Sequence, residues 1–386
     1  MTTRTINTLT ALLFLLFFSI PSETLSEDVF TGFQTKSFTV TKGGLFEVST
    51  SVGDVRITSW DKNEVFVKIS AHDDDDLDDF NITQHENTIT VEYHSDWGWT
   101  NDIRIEATIP NQFNVDIETS GGDIELGNDV NGNLKGETSG GDIKLGNIGG
   151  TIEMSTSGGD IRSGDIQGDV TLSTSGGDIV LGVVSGETDV STSGGDIRIK
   201  NVGKSLRAHT AGGEVKIGDV GGQASITTYG GDIQVDNINA QAQLTTAGGD
   251  IILREASGSV KAKTAGGDIR LKNVTGEINA KTAAGDISAE LRSSPKSSCR
   301  LTTAAGDITF SVSETAKLTI NARVKIFGWW HSSKDGYDIH SDFKADKLDA
   351  DRDKQEIRAV YKINGGGENV SLETSMGSIE IRKLKK

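Results

Sequence analysis

Between Thr119 and Ile308 one six-residue phrase returns at a nearly fixed period, and no other feature of the chain constrains its fold as strongly. It reads Thr-Ser-Gly-Gly-Asp-Ile at 119–124, 138–143, 156–161, 174–179 and 192–197. It continues as TAGGEV at 210–215, TYGGDI at 228–233, TAGGDI at 246–251 and 264–269, and TAAGDI at 282–287 and 303–308. The acidic positions, Asp123, Asp142, Asp160, Asp178, Asp196, Glu214, Asp232, Asp250, Asp268, Asp286 and Asp307, step by 19, then by 18, and finally by 21. So short a period marks an array of stacked supersecondary units.

The unit itself is legible. After Asp160, Ile161 and Ser163 are spaced by two, a slot that Leu126, Leu145, Leu181 and Leu253 fill in other copies. Val170, Leu172 and Thr174 are again spaced by two, as in strands with one buried face. A turn at Gly168 and another at Gly176–Gly177 must re-aim the face between them, and positive φ is the expected reason for glycine there. An antiparallel meander would place equivalent residues ~9.6 Å apart, two strand spacings, whereas a solenoid stacks them at ~4.8 Å. Identical turns stacked directly on one another explain the strict phrase, so the expectation is all-β: a β-solenoid (β-helix) of about ten 18-residue coils with β caps at both ends.

Composition agrees, with 47 Gly, 3 Pro and 6% aromatic residues. Residues 1–26, with Arg4, the apolar run Leu9–Ile20 and Pro21, read as a signal peptide cleaved after Ser26. Its apolar run is too short to span a bilayer, and no later segment is long and apolar enough, so an exported chain without stable membrane insertion is expected. Residues 27–118 alternate as strands without the phrase and form the expected N-terminal β cap. Residues 119–309 are the array, and 310–386 the expected C-terminal cap, where Thr374–Ile379 restate the phrase as a final coil. Aromatics concentrate at the ends, among them Trp60, Trp97, Trp99, Trp329 and Trp330, while Tyr229 stands alone inside the array. The single cysteine, Cys299, excludes an internal disulfide and reads as a small residue near a loop, with a free reactive thiol as the other reading.

The residues Gly44-Leu45-Phe46-Glu47-Val48, Gly53-Asp54-Val55-Arg56-Ile57, Trp60-Asp61, Thr108-Ile109-Pro110 and Gly365-Gly366-Gly367, with Leu372 and Gly377-Ser378-Ile379, occur in that order around the repeat. In this the chain resembles the bacterial DUF4097 family, adhesin-like β-strand-repeat proteins of the cell envelope. The resemblance implies an exported β-solenoid and brings no catalytic or ligand residues with it.

Candidate chemistry is sparse. The carboxylate row should repel itself at ~1 kcal/mol per neighbouring pair in water. The expected compensation is that each aspartate braces its own turn by accepting backbone N–H groups. The competing reading is a row of bound Ca²⁺ ions, but Ca²⁺-binding rolls read Gly-Gly-x-Gly-x-Asp and the second half-repeat lacks a matching set. Asp73–Asp76 with Asp78 and Asp79 fail as a calcium loop, because Asp79 stands where glycine is needed and His85 where a bidentate glutamate is needed. The six histidines, His72, His85, His94, His209, His331 and His340, have no metal-site spacing, and no nucleophile elbow occurs. No catalytic residue, metal ligand or cofactor site is therefore expected.

A net charge of −18 argues against nucleic acid and anionic membrane surfaces as partners. The leading expectation is a non-enzymatic envelope or surface scaffold, adhesin-like, with an envelope or surface protein or a glycan as partner. It would bind along the outward slots Lys144, Arg162, Arg198, Lys216 and Arg270. The alternatives are a polysaccharide-binding or polysaccharide-degrading β-helix and a Ca-stabilised structural repeat protein.

Overall fold

The computed structural model describes residues 30, 32–72, 77–93, 103–325, 337–351 and 356–384, without the side chains of 350 and 351. The expected signal peptide, Asp73–Asp76, His94, Trp97, Trp99, Trp329, Trp330 and His331 lie outside the described residues. No described residue belongs to a named helix.

One coil can be followed from Val170. The strand Val170–Ser173 leads through Thr174 into the Gly-Gly turn, the strand Ile179–Val184 follows, and a second turn leads to Thr188–Ser191. Val170 pairs with Thr188 and Ile179 with Ile197, both parallel and 18 residues apart. Parallel pairing at the repeat length excludes the meander: the chain is a solenoid, one coil per repeat.

Two sheets form its walls. Sheet A collects the strands after each aspartate, from Ile124–Leu126 through Ile308–Val312. Sheet B collects the strands before each Gly-Gly, from Asn114–Thr119 through Cys299–Thr302. Their inward side chains stack in columns. Ile143, Ile161, Ile179, Ile197 and Val215 form one, and Leu172, Val190, Ala208, Ile226 and Leu244 another, all at most 1% exposed. A third column, Val130, Ile148, Ile166 and Val184, fills the corner where the chain leaves sheet A. Burying three aliphatic columns is the main stabilising term, at ~25 cal/mol per Å² of apolar surface removed from water.

The stack begins before the residue 118 boundary expected from sequence. Leu45–Thr50 pairs parallel with Asn114–Thr119, and Asp54–Trp60 pairs parallel with Ile124–Leu126. Thr50-Ser51-Val52-Gly53-Asp54-Val55 is thus a degenerate copy of the phrase, separated from the next by an excursion through 64–110. At the other end Glu368–Thr374 and Ile379–Lys383 stack on Cys299–Thr302 and Ile308–Val312.

Among the described residues, antiparallel pairs occur only outside these coils. They are Gly32–Thr39 with Glu64–Ala71, Glu64–Ala71 with Ile103–Pro110, and Asn81–His85 with Thr88–Tyr93 at one end. At the other, Leu318–Lys325 pairs with Glu356–Ile363, which pairs with Lys347–Asp351. Large rings pack beneath them: Phe46, Phe113 and Tyr93 at the first end, Phe310 and Tyr361 at the second. Such hairpins cover sheet edges that would otherwise template pairing with another chain.

Candidate functional site: the charged rows and the outer sheet faces

The Gly-Gly corner is the most regular part of the molecule, and its chemistry runs between coils. Each threonine of the phrase donates its hydroxyl to the second-glycine carbonyl of the preceding coil, as in Thr156 to Gly141, Thr174 to Gly159 and Thr192 to Gly177, at 2.8–2.9 Å. The same oxygen accepts the N–H of its own second glycine, for example Gly177 N to Thr174 Oγ1 at 3.3 Å. These threonines are buried and, so bonded, fully satisfied.

The aspartates do not brace their own turns. Oδ1 of Asp160 accepts the backbone N–H of Asp178 at 2.7 Å, Asp178 accepts that of Asp196 at 2.8 Å, and Asp196 accepts that of Glu214 at 2.7 Å. The row runs from Asp54, which accepts from Asp123, to Asp307, which accepts from Ser378, with a gap at Glu214, whose carboxylate accepts no hydrogen bond among the described residues. Sequence placed the acceptor bond in the right phrase but in the wrong coil, because in a parallel stack the amide nearest each carboxylate belongs to the next repeat. The Asp178 amide holds the Asp160 carboxyl below its ordinary value, with Arg162 adding to the effect.

Glycine is needed for a reason other than the expected positive φ, which no glycine from 121 to 285 adopts. A Cβ on the second glycine would meet the preceding coil: 2.0 Å from Gly177 O for Gly195, and 2.1 Å from Gly141 O for Gly159. The first glycine has more room, 3.3 Å for Gly194. The sequence follows this division, since Ala284, Ala305 and Met376 replace the first glycine while the second is kept as Gly285, Gly306 and Gly377.

Three of the five slots proposed from sequence as a binding row serve the aspartates. Arg162 meets Asp160 at 2.7 Å, Arg198 meets Asp196 at 2.6 Å and Asp178 at 3.5 Å, and Arg270 meets Asp268 at 2.6 Å and Asp250 at 3.0 Å. Lys144 pairs with Glu125 at 3.4 Å. Lys216 alone forms no ion pair among the described residues. With Oδ1 on an amide and Oδ2 facing a guanidinium, Asp160, Asp178, Asp196, Asp250 and Asp268 each have a local partner that offsets repulsion from the neighbouring coil. Among the described residues no group of three or more His, Cys, Asp or Glu is arranged to hold a metal ion.

Sequence reading missed a second set of the same bonds at the opposite corners. Asn147 accepts from Asp165 N, Asp165 from Val183 N and Asp169 from Glu187 N, each at 2.8 Å. The signal was the recurrence of Asn or Asp at 147, 165, 201 and 219, blurred by Val183 within the same column. Cys299 is also placed differently: it is a core residue, stacked between Ile278 and Val370 and 1% exposed. Burial pushes its thiol up to about 11, which removes the reactive-thiol reading.

Both outer sheet faces carry hollows. On sheet A one of about 370 Å³ lies over Arg56, Lys68, Glu106 and Glu125. Sheet B carries a trough of about 550 Å³ lined by Thr171, Asp189, Arg207, Ser225, Gln223 and Gln243, among others, with Arg207 paired to Asp189 at 3.4 Å. A second hollow of about 280 Å³ continues it toward Asp116, Glu118 and Glu137. Most of these side chains project from the sheet without taking part in the corner bonds. Tyr229, 60% exposed, lies at its margin edge-on to His209, ring centroids 5.8 Å apart.

The family model described as Toastrack DUF4097 matches residues 46–220 and 203–326. The chain belongs to the Toastrack family. Its first match starts at Phe46, in the strand Leu45–Thr50. A candidate adhesin from Bacteroides fragilis NCTC 9343 aligns over 92% of this Toastrack chain and 98% of its own, with 12% identity and a TM-score of 0.24. A candidate lipid binding protein from Parabacteroides distasonis ATCC 8503 covers 92% and 98% with 13% identity and a TM-score of 0.22. A candidate cell adhesion protein from Clostridium sporogenes ATCC 15579 covers 92% and 99% with 7% identity and a TM-score of 0.17. Among curated proteins none matches the chain.

Proposed function

We propose that this Toastrack chain is an exported, non-catalytic interaction scaffold of the cell envelope, and that it docks its partner on the outer face of sheet B. One observation carries the reading. At the Gly-Gly corner the aspartates, Arg198 and Arg270 hold coil to coil. The trough on sheet B instead presents Thr171, Gln223, Ser225 and Gln243, whose side chains form no hydrogen bond among the described residues, beside the Asp189–Arg207 pair. The role is of the class named for the candidate adhesins among the solved neighbours. A rigid array suits it, because its outward slots stand at fixed intervals of ~4.8 Å and lose little freedom on binding.

The test is photo-crosslinking in the native cell. A crosslinker is placed at Gln243 in the trough or at Ser288 on sheet A, both exposed. A discrete adduct in the envelope fraction from Gln243, protein or glycan, and none from Ser288 is the expected result. Adducts only from Ser288, or a chain retained in the cytosol, would overturn the reading.

A further inference from the structure

The outer face of sheet B is charged oppositely at its two ends. Toward the N-terminal end, Glu118 and Glu137 are registered neighbours on Asn114–Thr119 and Leu134–Thr138, and Glu153 stands on Ile152–Thr156. None of the three forms an ion pair among the described residues; Asp116 faces Lys135 at 3.9 Å. Toward the C-terminal end, Lys263 and Lys281 are registered neighbours on Val260–Lys263 and Ile278–Lys281, flanked by Lys261 and Arg300. These four cations are exposed and form no ion pair among the described residues. Glu373 is already paired with Lys325 at 2.5 Å and Arg323 at 3.8 Å, which together with Arg300 hold its carboxyl low. Like charges directly opposite on neighbouring strands are destabilising. The fold keeps two such pairs, of opposite sign, on one face of a chain whose net charge is −18.

We infer that this face binds a second copy of the chain, antiparallel and face to face, so that the basic end of each copy covers the acidic end of the other. The register of sheet B specifies the arrangement. A two-fold axis along the strand Leu206–His209 carries Leu134–Thr138 over Ile278–Lys281 and Ile152–Thr156 over Val260–Lys263, because each pair lies equally far from that strand in the sheet order. It sets Glu137 opposite Lys281 and Glu153 opposite Lys261, and brings Asp116 to Arg300. Every contact is made twice, as a two-fold interface requires. From Asn114–Thr119 to Cys299–Thr302 the face measures about 48 Å by about 13 Å, so even complete coverage of both faces buries only about 1,200 Å² in total, at the lower bound of a stable interface. The trough lies at the centre and stays wet, leaving the charged ends to hold the dimer. Such an interface is weak and depends on salt.

This deepens the reading of sheet B as the docking face by naming one partner, and its test is separate from the crosslinking above. The mature chain is followed by sedimentation equilibrium between about 0.1 M and about 1 M salt, across which the screening length falls from about 10 Å to about 3 Å. A dimer at low salt that becomes monomer at high salt is expected. Two charge reversals, K261E with K281E and E137K with E153K, should each weaken the dimer at least about tenfold. Mixing the two variants should restore it, because acidic and basic ends then match across the heterodimer. All four sites are exposed, and unchanged circular dichroism checks that each variant folds. A chain that is monomeric at every salt concentration overturns the inference, as do a dimer that either variant leaves intact and a mixture that does not re-form it. In any of these cases an envelope adduct from Gln243 would still support the docking face with a different partner.

Discussion

Replacing Gly195 by alanine adds one methyl group at the point where consecutive coils come closest. The new Cβ would lie 2.0 Å from Gly177 O, whereas real contacts essentially never fall below 3.0 Å, so the coils must part locally by about 1 Å. The coil spacing is only ~4.8 Å, and three bonds bridge this junction. They are Asp196 N to Asp178 Oδ1 at 2.8 Å, Thr192 Oγ1 to Gly177 O at 2.9 Å and Ile179 N to Asp196 O at 2.9 Å. At ~1 kcal/mol each their loss comes to about 3 kcal/mol, partly offset by the smaller backbone entropy of the unfolded alanine chain. Gly194→Ala, whose Cβ stands 3.3 Å from Gly176 O, should change stability by no more than ~1 kcal/mol. Urea unfolding followed by circular dichroism measures the difference. Hydrogen exchange over 174–200 checks that the damage is local, because repeat arrays need not unfold in one step. Equal stability of the two variants would refute the argument that close stacking, and not backbone conformation, requires the second glycine.

Three further outcomes follow from the same geometry. Asp178→Asn keeps an oxygen acceptor for the Asp196 amide and should cost under ~1 kcal/mol, and the melting temperature of the wild type should be the same in millimolar Ca²⁺ and in chelator; a rise on adding Ca²⁺ would restore the cation reading. Because the Asp178 amide holds the Asp160 carboxyl below 3.8, its contribution is fully present above that pH and is lost as pH falls through the lower folded value. The stability advantage of wild type over Asp160→Ala should therefore hold down to about pH 4 and shrink below it, and an advantage that grows in acid would contradict the sign. Cys299, with its thiol raised to about 11 by burial, should be inert to a thiol reagent at neutral pH until the chain is unfolded, a point that a simple colorimetric titration decides.

Much of the architecture was legible because a period is a global property: the spacing of Asp160, Asp178 and Asp196 fixes one coil per repeat, and alternation at Val170, Leu172 and Thr174 fixes which face is buried. What stayed hidden depends on the third dimension. That Asp178 holds the coil after it, and that Gly195 is crowded by Gly177, follow only once equivalent residues are neighbours in space. The degenerate phrase at Thr50–Val55 escaped because an excursion through 64–110 separates it from the copy it stacks on. The outward cations illustrate the same point. Arg198 and Lys281 look alike in sequence, yet one lies within reach of two ladder aspartates and the other faces outward beside a second lysine.

The division of the surface into a corner that holds the coils together and a face proposed as the docking site rests on the aspartate-to-amide bond between coils. Hydrogen exchange on Asp178→Ala, resolved to single residues, tests that bond most directly. The account predicts faster exchange at the amide of residue 196, in the next coil, with the amide of residue 178 still protected by Asp160. Faster exchange within the 175–178 turn, with residue 196 unchanged, would mean that each aspartate braces its own turn, and the account would fail.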